Sequence, residues 1–314
     1  MINSACFNGF RVGVENYEFV KYNICKDGDF MIKITDVRAL PGDSAFLIDN
    51  GTTSVLYDTG FAFTGKDVCK NVEKTLGDRE LDYIFLTHSH YDHALGSVYV
   101  KQRYKNAIIV CGEYAKRIFE KPSARSVMRE LDRKFAAKCN VSDYEDLIDS
   151  LSADLTVSDG DIIKAGDMVF RAIALPGHTK CSFGFLLESE KLLLSSETLG
   201  VYVGEGDVIP SCLIGYRTTL NSIAKARQLD IEKILVPHYG LIEGDEALAY
   251  LENAKKSLID TCRSIASILK FGGSDAEALE YFKDRFYHGK VIDAYPIDAM
   301  ELNTGIMIDL ITNA

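Results

Sequence analysis

Histidine is scarce in this chain, and its placement is the most informative feature of the sequence. Only six histidines occur among 314 residues, and three fall in the stretch His88-Ser89-His90-Tyr91-Asp92-His93. Neutral imidazole is a common ligand for zinc, iron and manganese-class ions, and carboxylates complete such sets. Three histidines and one aspartate in six residues exceed what a single tetrahedral ion with an open position takes. The spacing therefore suggests two adjacent ions, with His88 and His90 facing one and Asp92 and His93 the other. The competing reading is a polar surface loop without metal. Two further histidines weaken that alternative. His178 lies in Leu175-Pro176-Gly177-His178-Thr179 and His238 in Val236-Pro237-His238-Tyr239-Gly240, each directly after an apolar run.

Such ligands need rigid backbone behind them. The run Tyr83-Ile84-Phe85-Leu86-Thr87 reads as a buried strand that delivers the histidine-rich loop at its end. Further strands are expected at Phe30–Val37, Ser44–Asp49, Ser54–Tyr57, Ala107–Val110, Val169–Leu175, Ser182–Leu187, Lys191–Ser195 and Ile234–Val236. Asp49-Asn50-Gly51 reads as a hairpin turn, because Asn-Gly supplies the positive φ angles a tight turn needs. Helices are expected near Gly65–Leu76, His93–Tyr104, Tyr114–Phe119 and Tyr216–Gln228. Lys116 to Asp161 is charged, partly helical and without strand character, basic in its first half and acidic in its second. It reads as a solvated insertion, or as a lid whose arginines meet an anionic substrate. After Gly244 the pattern is helical only. Leu251, Leu258, Cys262, Ile265 and Leu269 form one apolar face, and Gly272-Gly273 ends that helix. Ser274-Asp275-Ala276-Glu277 is a capping box. Pro296 opens a last helix whose inner face is expected to carry Ile297, Met300, Met307 and Leu310.

Composition bounds the class. Apolar residues make up 47% and charged residues 26%, enough for a sizeable core and against disorder. The net charge of −11 disfavours a nucleic-acid binder, which needs a cationic surface. No apolar run approaches the ~18 residues of a membrane span, and the N-terminus lacks the basic start and apolar run of a signal peptide. The eight cysteines include no pair closer than 19 residues, so they read as reduced thiols of a cytoplasmic protein. The expected partner is a small-molecule substrate, with neither nucleic acid nor membrane.

Thr87-His88-Ser89-His90-Tyr91-Asp92-His93, followed by Gly96, resembles the HxHxDH motif of the metallo-β-lactamase superfamily. Leu56-Tyr57-Asp58-Thr59-Gly60 is similar to the family's earlier strand ending in Asp-x-Gly. Pro176-Gly177-His178-Thr179 with Ser182 is similar to its third metal motif, and His238 to its final histidine. Together these motifs span Ala39 to Gly240. The resemblance implies an α+β fold, a four-layer αββα sandwich, with residues 1–244 forming the metal-binding domain (116–161 its helical insertion) and 245–314 a C-terminal helical extension packed on the core. It implies two divalent metal ions, zinc first, with iron or manganese as alternatives. His88, His90 and His178 would bind one and Asp92, His93 and His238 the other. Where the family has a bridging Asp, this chain has Glu197, one methylene longer. Asp58 is expected to orient a ligand histidine, since metal-bound imidazoles usually donate their other N–H to a carboxylate or carbonyl. Tyr91 and Tyr239 neighbour ligands and are candidates for the substrate pocket. Cys181 reads as core packing rather than a thiol ligand, and His288 as a helix-end residue.

A pair of ions holds and activates water at neutral pH, so no serine or cysteine nucleophile is required. The implied reaction is hydrolysis of an ester-type bond (phosphodiester, thioester, ester or lactam), with Asp92 also relaying a proton to the leaving group. The alternative is a weakly catalytic or non-catalytic metal-containing regulator that binds a small ligand or protein. The C-terminal helices are expected to cover the metal cleft, or instead to form a homodimer interface.

Overall fold

The computed structural model describes residues 21–24, 32–204 and 208–313. Two sheets stack face to face. The first contains β1 (Lys21–Ile24), β2 (Ile32–Asp36), β3 (Phe46–Asp49), β4 (Ser54–Tyr57), β5 (Tyr83–Phe85), β6 (Ile108–Gly112) and β7 (Leu155–Val157), in that spatial order. It is antiparallel up to β4 and parallel from β4 to β7. The second sheet runs β13 (Gly240–Glu243), β12 (Lys233–Val236), β11 (Leu192–Leu194), β10 (Phe183–Leu187), β9 (Met168–Ala174), β8 (Ile162–Ala165). Within it only β11 and β12 pair in parallel.

Both faces of the central strands β3, β4, β10 and β11 are covered, which is why they read as continuous apolar runs rather than alternating ones. Phe46, Ile48, Tyr57, Phe85, Phe170, Phe185 and Leu194 meet between the sheets. Their neighbours Leu47, Leu56 and Ile84 point the other way, under α1 (Gly65–Leu76), α3 (Ser97–Arg103) and α4 (Glu113–Phe119). Leu186, Leu193, Ile234 and Val236 point outward from the second sheet, under α6 (Tyr216–Ala226) and α7 (Asp245–Lys270). This is the αββα sandwich. The C-terminal helices α7, α8 (Asp275–Phe286), α9 (Val291–Ala294) and α10 (Ile297–Thr312) share one apolar cluster with the second sheet: Leu193 and Val236 lie in the same core as Leu251, Phe282 and Met300.

The capping box forms, with the Ser274 hydroxyl accepting from the Glu277 N–H and the Glu277 carboxylate accepting from the Ser274 N–H. Four local expectations need correction. The helix expected over His93–Tyr104 is broken into α2 (Tyr91–Ala94) and α3. The charged stretch 116–161 is not without strand: after α5 (Pro122–Lys138) it supplies β7, which extends the parallel part of the first sheet. The arginines of α5 are held by that stretch's acidic half. Arg129 pairs with Asp146 at 2.6 Å and Asp149 at 3.1 Å, and Arg133 pairs with Asp146 at 2.8 Å. In α10 the buried residues are Met300, Thr304, Met307 and Ile308, so Ile297 and Leu310 stand at the edge of the inner face. Among the described residues no helix is long and apolar enough to cross a membrane.

Candidate metal centre

The parallel pairs fix where the site lies. β4, β5, β11 and β12 end on one edge of the sandwich, and the residues after them are Asp58, His88, Glu197 and His238. His178 joins from the loop between β9 and β10. The single turn of α2, starting just after His90, carries Asp92 and His93 back toward the site, with the His93 ring centroid 4.1 Å from that of His88. That turn is clamped from below. The Thr59 N–H and hydroxyl both donate to the His93 carbonyl at 2.8 Å, and the Gly96 N–H donates to the Gly60 carbonyl at 3.0 Å. A Cβ on Gly96 would fall 1.8 Å from the Thr59 carbonyl oxygen, so only glycine permits this approach.

Two groups of donors result. His88, His90, His178 and Glu197 form one, and Asp92, His93 and His238 the other; within each, the donor atoms lie within 4.8 Å of one another. The Glu197 carboxylate stands between them. Its Oε2 lies 2.8 Å from His178 Nε2, 3.4 Å from His88 Nε2 and 3.5 Å from His93 Nε2, while Oε1 lies 3.5 Å from His238 Nε2. Asp92 Oδ2 is 3.7 Å from His93 Nε2 and 3.9 Å from His238 Nε2.

Hydrogen bonds behind the rings set their tautomers. Asp58, fully buried and held at φ 53°, accepts from Ser44 Oγ, the Thr87 N–H and hydroxyl, and His93 Nδ1 at 2.7 Å. His93 Nδ1 is thereby committed as a donor, which leaves Nε2 as the ring nitrogen turned toward the site. The Thr87 hydroxyl, its own proton committed to Asp58, accepts from His88 Nδ1 at 3.0 Å. His238, at φ 63°, donates from Nδ1 to the Gly42 and Asp43 carbonyls at 3.0 and 3.1 Å. Its own carbonyl accepts from the Arg38 guanidinium, which also pairs with Asp36. His178 Nδ1 contacts Ser211 Oγ. Ser44, Thr87, Ser211 and the Gly42–Asp43 carbonyls were not picked out from the sequence. Thr87 flanks the histidine motif, but the others have no local signal, since they meet the site only through tertiary folding.

This donor set fits divalent cations. His93 Nε2 and His238 Nε2 face each other at 3.2 Å, and both rings already donate from Nδ1. Two ring nitrogens so placed share either a proton or a cation between or beside them. His90 Nδ1 and His178 Nε2 meet at 2.8 Å. His88 Nε2 and Asp92 Oδ1 are buried without any hydrogen-bond partner, in a protein interior where such groups are expensive. Burial and the neighbouring imidazoles push the pKa of His88 and of His90 well down, so both rings are neutral. Burial opposes charge on His93 too, but the Asp58 and Asp92 carboxylates outweigh it and drive its pKa well up. With no cation bound these carboxylates favour a second proton on His93, at Nε2, so the pocket attracts positive charge there, and a metal ion would take the place of that proton.

Tyr91 lines the cavity that opens from these residues, packed against Phe61 at 5.6 Å between ring centroids. Tyr239 does not line it and instead stacks edge-on with Tyr202 at 4.9 Å. Cys181 is buried, donates to Ser89 Oγ and belongs to neither donor group. His288 is exposed, its Nε2 bonded to the Arg285 carbonyl.

Comparison with known proteins agrees with this geometry. The sequence model of the metallo-beta-lactamase superfamily matches residues 41–238, well over half of the chain and all the donors above. The protein belongs to that superfamily. A hydroxyacylglutathione hydrolase of Bradyrhizobium is 29% identical over 146 residues, covering 46% of this chain and 43% of that protein. One of Nitrobacter winogradskyi is 32% identical over 100 residues, covering 32% and 37%. The match spans less than half the length of these relatives. A metallo-beta-lactamase family protein of Thermus thermophilus superposes with a TM-score of 0.59 at 16% identity, covering 94% of this chain and 93% of that one. An archaeal superfamily protein of Sulfolobus tokodaii superposes with a TM-score of 0.55 at 17% identity, covering 88% and 94%. At these identities the superpositions establish the fold alone.

Proposed function

We propose that this protein is a metal-dependent hydrolase that cleaves an ester-type bond in a small molecule, with an ester or thioester as the foremost substrate. The observation that carries the reading is the convergence of five imidazoles and two carboxylates on one sandwich edge, with His88 Nε2 and Asp92 Oδ1 buried and unsatisfied. Two divalent ions, zinc first, are the proposed occupants, and when bound they supply a water nucleophile at neutral pH and polarise the substrate oxygen. The relatives named for hydroxyacylglutathione hydrolysis favour an acyl substrate over a phosphodiester or lactam.

The chain's own residues divide the remaining work. His88, His90 and His178 hold one side of the site, and Asp92, His93 and His238 the other. Glu197 faces both sides, and its extra methylene gives it the reach to do so from the turn after β11. Asp58, Thr87 and the Gly42–Asp43 carbonyls engage the Nδ1 atoms of His93, His88 and His238, so that each Nε2 is the atom that faces a metal ion. In the reaction the oxygen of water bonds to the acyl carbon and the carbon–sulfur or carbon–oxygen bond breaks. One proton of water stays on the new carboxylic acid; the other passes through Asp92 Oδ1 to the leaving sulfur or oxygen.

The test is metal reconstitution with zinc, iron or manganese, followed by a panel of chromogenic esters, thioesters, phosphodiesters and lactams. Turnover of an acyl substrate is expected, lost at least a hundredfold in Asp92→Ala with the fold intact. A fully metal-loaded protein that turns over no member of the panel would overturn the hydrolase reading in favour of a ligand-binding regulator.

A further inference from the structure

A cavity of about 210 Å³ opens from His90, Asp92, Glu197 and His238 and runs outward between α5 and the segment from Ala294 to Ile306. Its volume is below the ~300–1,000 Å³ of pockets that take drug-sized ligands, so it suits a small substrate. One wall is aromatic and fixed: Phe61 and Phe135 stack at 4.9 Å between centroids, and Leu131 of α5 extends the surface. The other wall is α10. That helix already buries Met300, Met307 and Ile308 against the other C-terminal helices, yet it carries a second apolar stripe, Ala299, Leu302 and Ile306, along the cavity. Leu302 is 53% exposed and Ile306 36%, so the described residues leave this stripe partly open. A helix with an apolar face left open beside a reactive centre marks a ligand surface. The two walls are tied across the cavity by the ion pair of Lys138 with Asp298.

The inner part of this wall carries one directed polar group. Tyr295 precedes Pro296, which restricts it to the extended backbone seen there, φ −118° and ψ 109°. The Asn303 amide donates to the Tyr295 oxygen at 2.8 Å. Among the described residues the phenol donates to no acceptor, so its own O–H remains available to a substrate oxygen.

We propose that this cavity is an acyl pocket, which makes the substrate an ester or thioester of a short-to-medium apolar acyl chain. The carbonyl lies at the donor cluster, its oxygen accepting from Tyr295, and the chain runs along Ala299, Leu302 and Ile306 opposite Phe61 and Phe135. Ala299 to Ile306 spans about 10 Å along the helix at 1.5 Å per residue, the length of roughly an eight-carbon chain. The inference rests on the hydrolase reading for the bond cleaved, but not for the pocket itself.

Two measurements on the metal-loaded full chain separate the two claims. Binding of linear carboxylates from acetate to decanoate is followed by calorimetry, and kcat/KM is measured on the matching thioesters of N-acetylcysteamine. Both should rise about fourfold per methylene, the ratio that corresponds to ~0.8 kcal/mol per buried CH2, and level off near eight carbons. Ala299→Trp, which fills the wall, and Leu302→Glu, on an exposed position that tolerates charge, should each weaken octanoate binding tenfold or more and leave acetate unchanged. Tyr295→Phe should lower kcat/KM by a similar factor at every chain length. Carboxylate affinity independent of length, unaltered by both wall variants, would overturn the acyl pocket even if esters are hydrolysed. Length-dependent carboxylate binding without turnover of any thioester would uphold the pocket and overturn the hydrolase reading.

Discussion

Asp58→Asn should cripple one half of the proposed metal centre without unfolding the protein. Asp58 is fully buried and only accepts hydrogen bonds, from Ser44, from Thr87 twice over and from His93. Asparagine preserves the shape and one oxygen, which keeps the Thr87 N–H satisfied at the 2.9 Å position. Its amide nitrogen then faces His93 Nδ1, a donor against a donor. The ring escapes by moving its proton to Nε2, which removes the lone pair directed at Asp92 and His238. Loss of such an orienting partner typically costs 10–100-fold in metal affinity, about 1.4–2.7 kcal/mol. Metal content after dialysis against graded chelator, read by mass spectrometry of the elements, measures it directly. The expected result is a folded protein that loses metal from the group of Asp92, His93 and His238 first. An Asp58→Asn protein with wild-type metal affinity and stoichiometry would refute the tautomer argument.

Other perturbations follow from the same structure. Shortening Glu197 to Asp withdraws the carboxylate by one methylene and should lower metal stoichiometry, because Oε1 and Oε2 already reach their nearest partners across 2.8 to 3.5 Å; unchanged stoichiometry would show that the added length is immaterial. Gly96→Ala places a methyl 1.8 Å from the Thr59 carbonyl and should destabilise the fold by several kcal/mol, seen as a large drop in Tm or as insolubility. Burial pushes the Asp132 carboxyl up to about 7, against the opposing hydrogen bonds from Tyr144 and the Ala62 N–H and with Asp43 and Asp146 adding to the rise. A carboxyl with a raised folded pKa stabilises most below its unfolded value near 4, and that contribution is lost as pH climbs through 7. The wild type should therefore lose stability relative to Asp132→Asn between pH 4 and 8, by on the order of 4 kcal/mol. Denaturant titrations at several pH values with parallel slopes for the two proteins would contradict this.

The candidate ligands were legible in the sequence because they are local. Four of them sit in six residues after one strand, and the other histidines each follow an apolar run that ends in Pro-Gly or Pro. The strands of the sandwich interior were legible for the same reason, as apolar runs bounded by turns. What escaped is what three-dimensional folding assembles. β7 is only three residues long, partly exposed and embedded in a charged stretch, so nothing local marks it as the end of a sheet. Ser44 and Ser211 look like any serine until their loops meet Asp58 and His178. The inner face of α10 was legible only in Met300 and Met307, with Ile297 and Leu310 at its edge, because apolar residues lie on more than one side of that helix and hide which face points inward. Glu197 was found only because it stands after a strand where the family places an aspartate.

In the proposed centre His88, His90 and His178 serve one ion and Asp92, His93 and His238 a second, with Glu197 shared between them. Anomalous diffraction from crystals of the metal-loaded protein, collected on both sides of the metal's absorption edge, tests this most directly. Two peaks roughly 3.5–4 Å apart are expected, flanking the Glu197 carboxylate, with the six other side chains divided as stated. A single peak, or two peaks with Glu197 turned away from both, would contradict it.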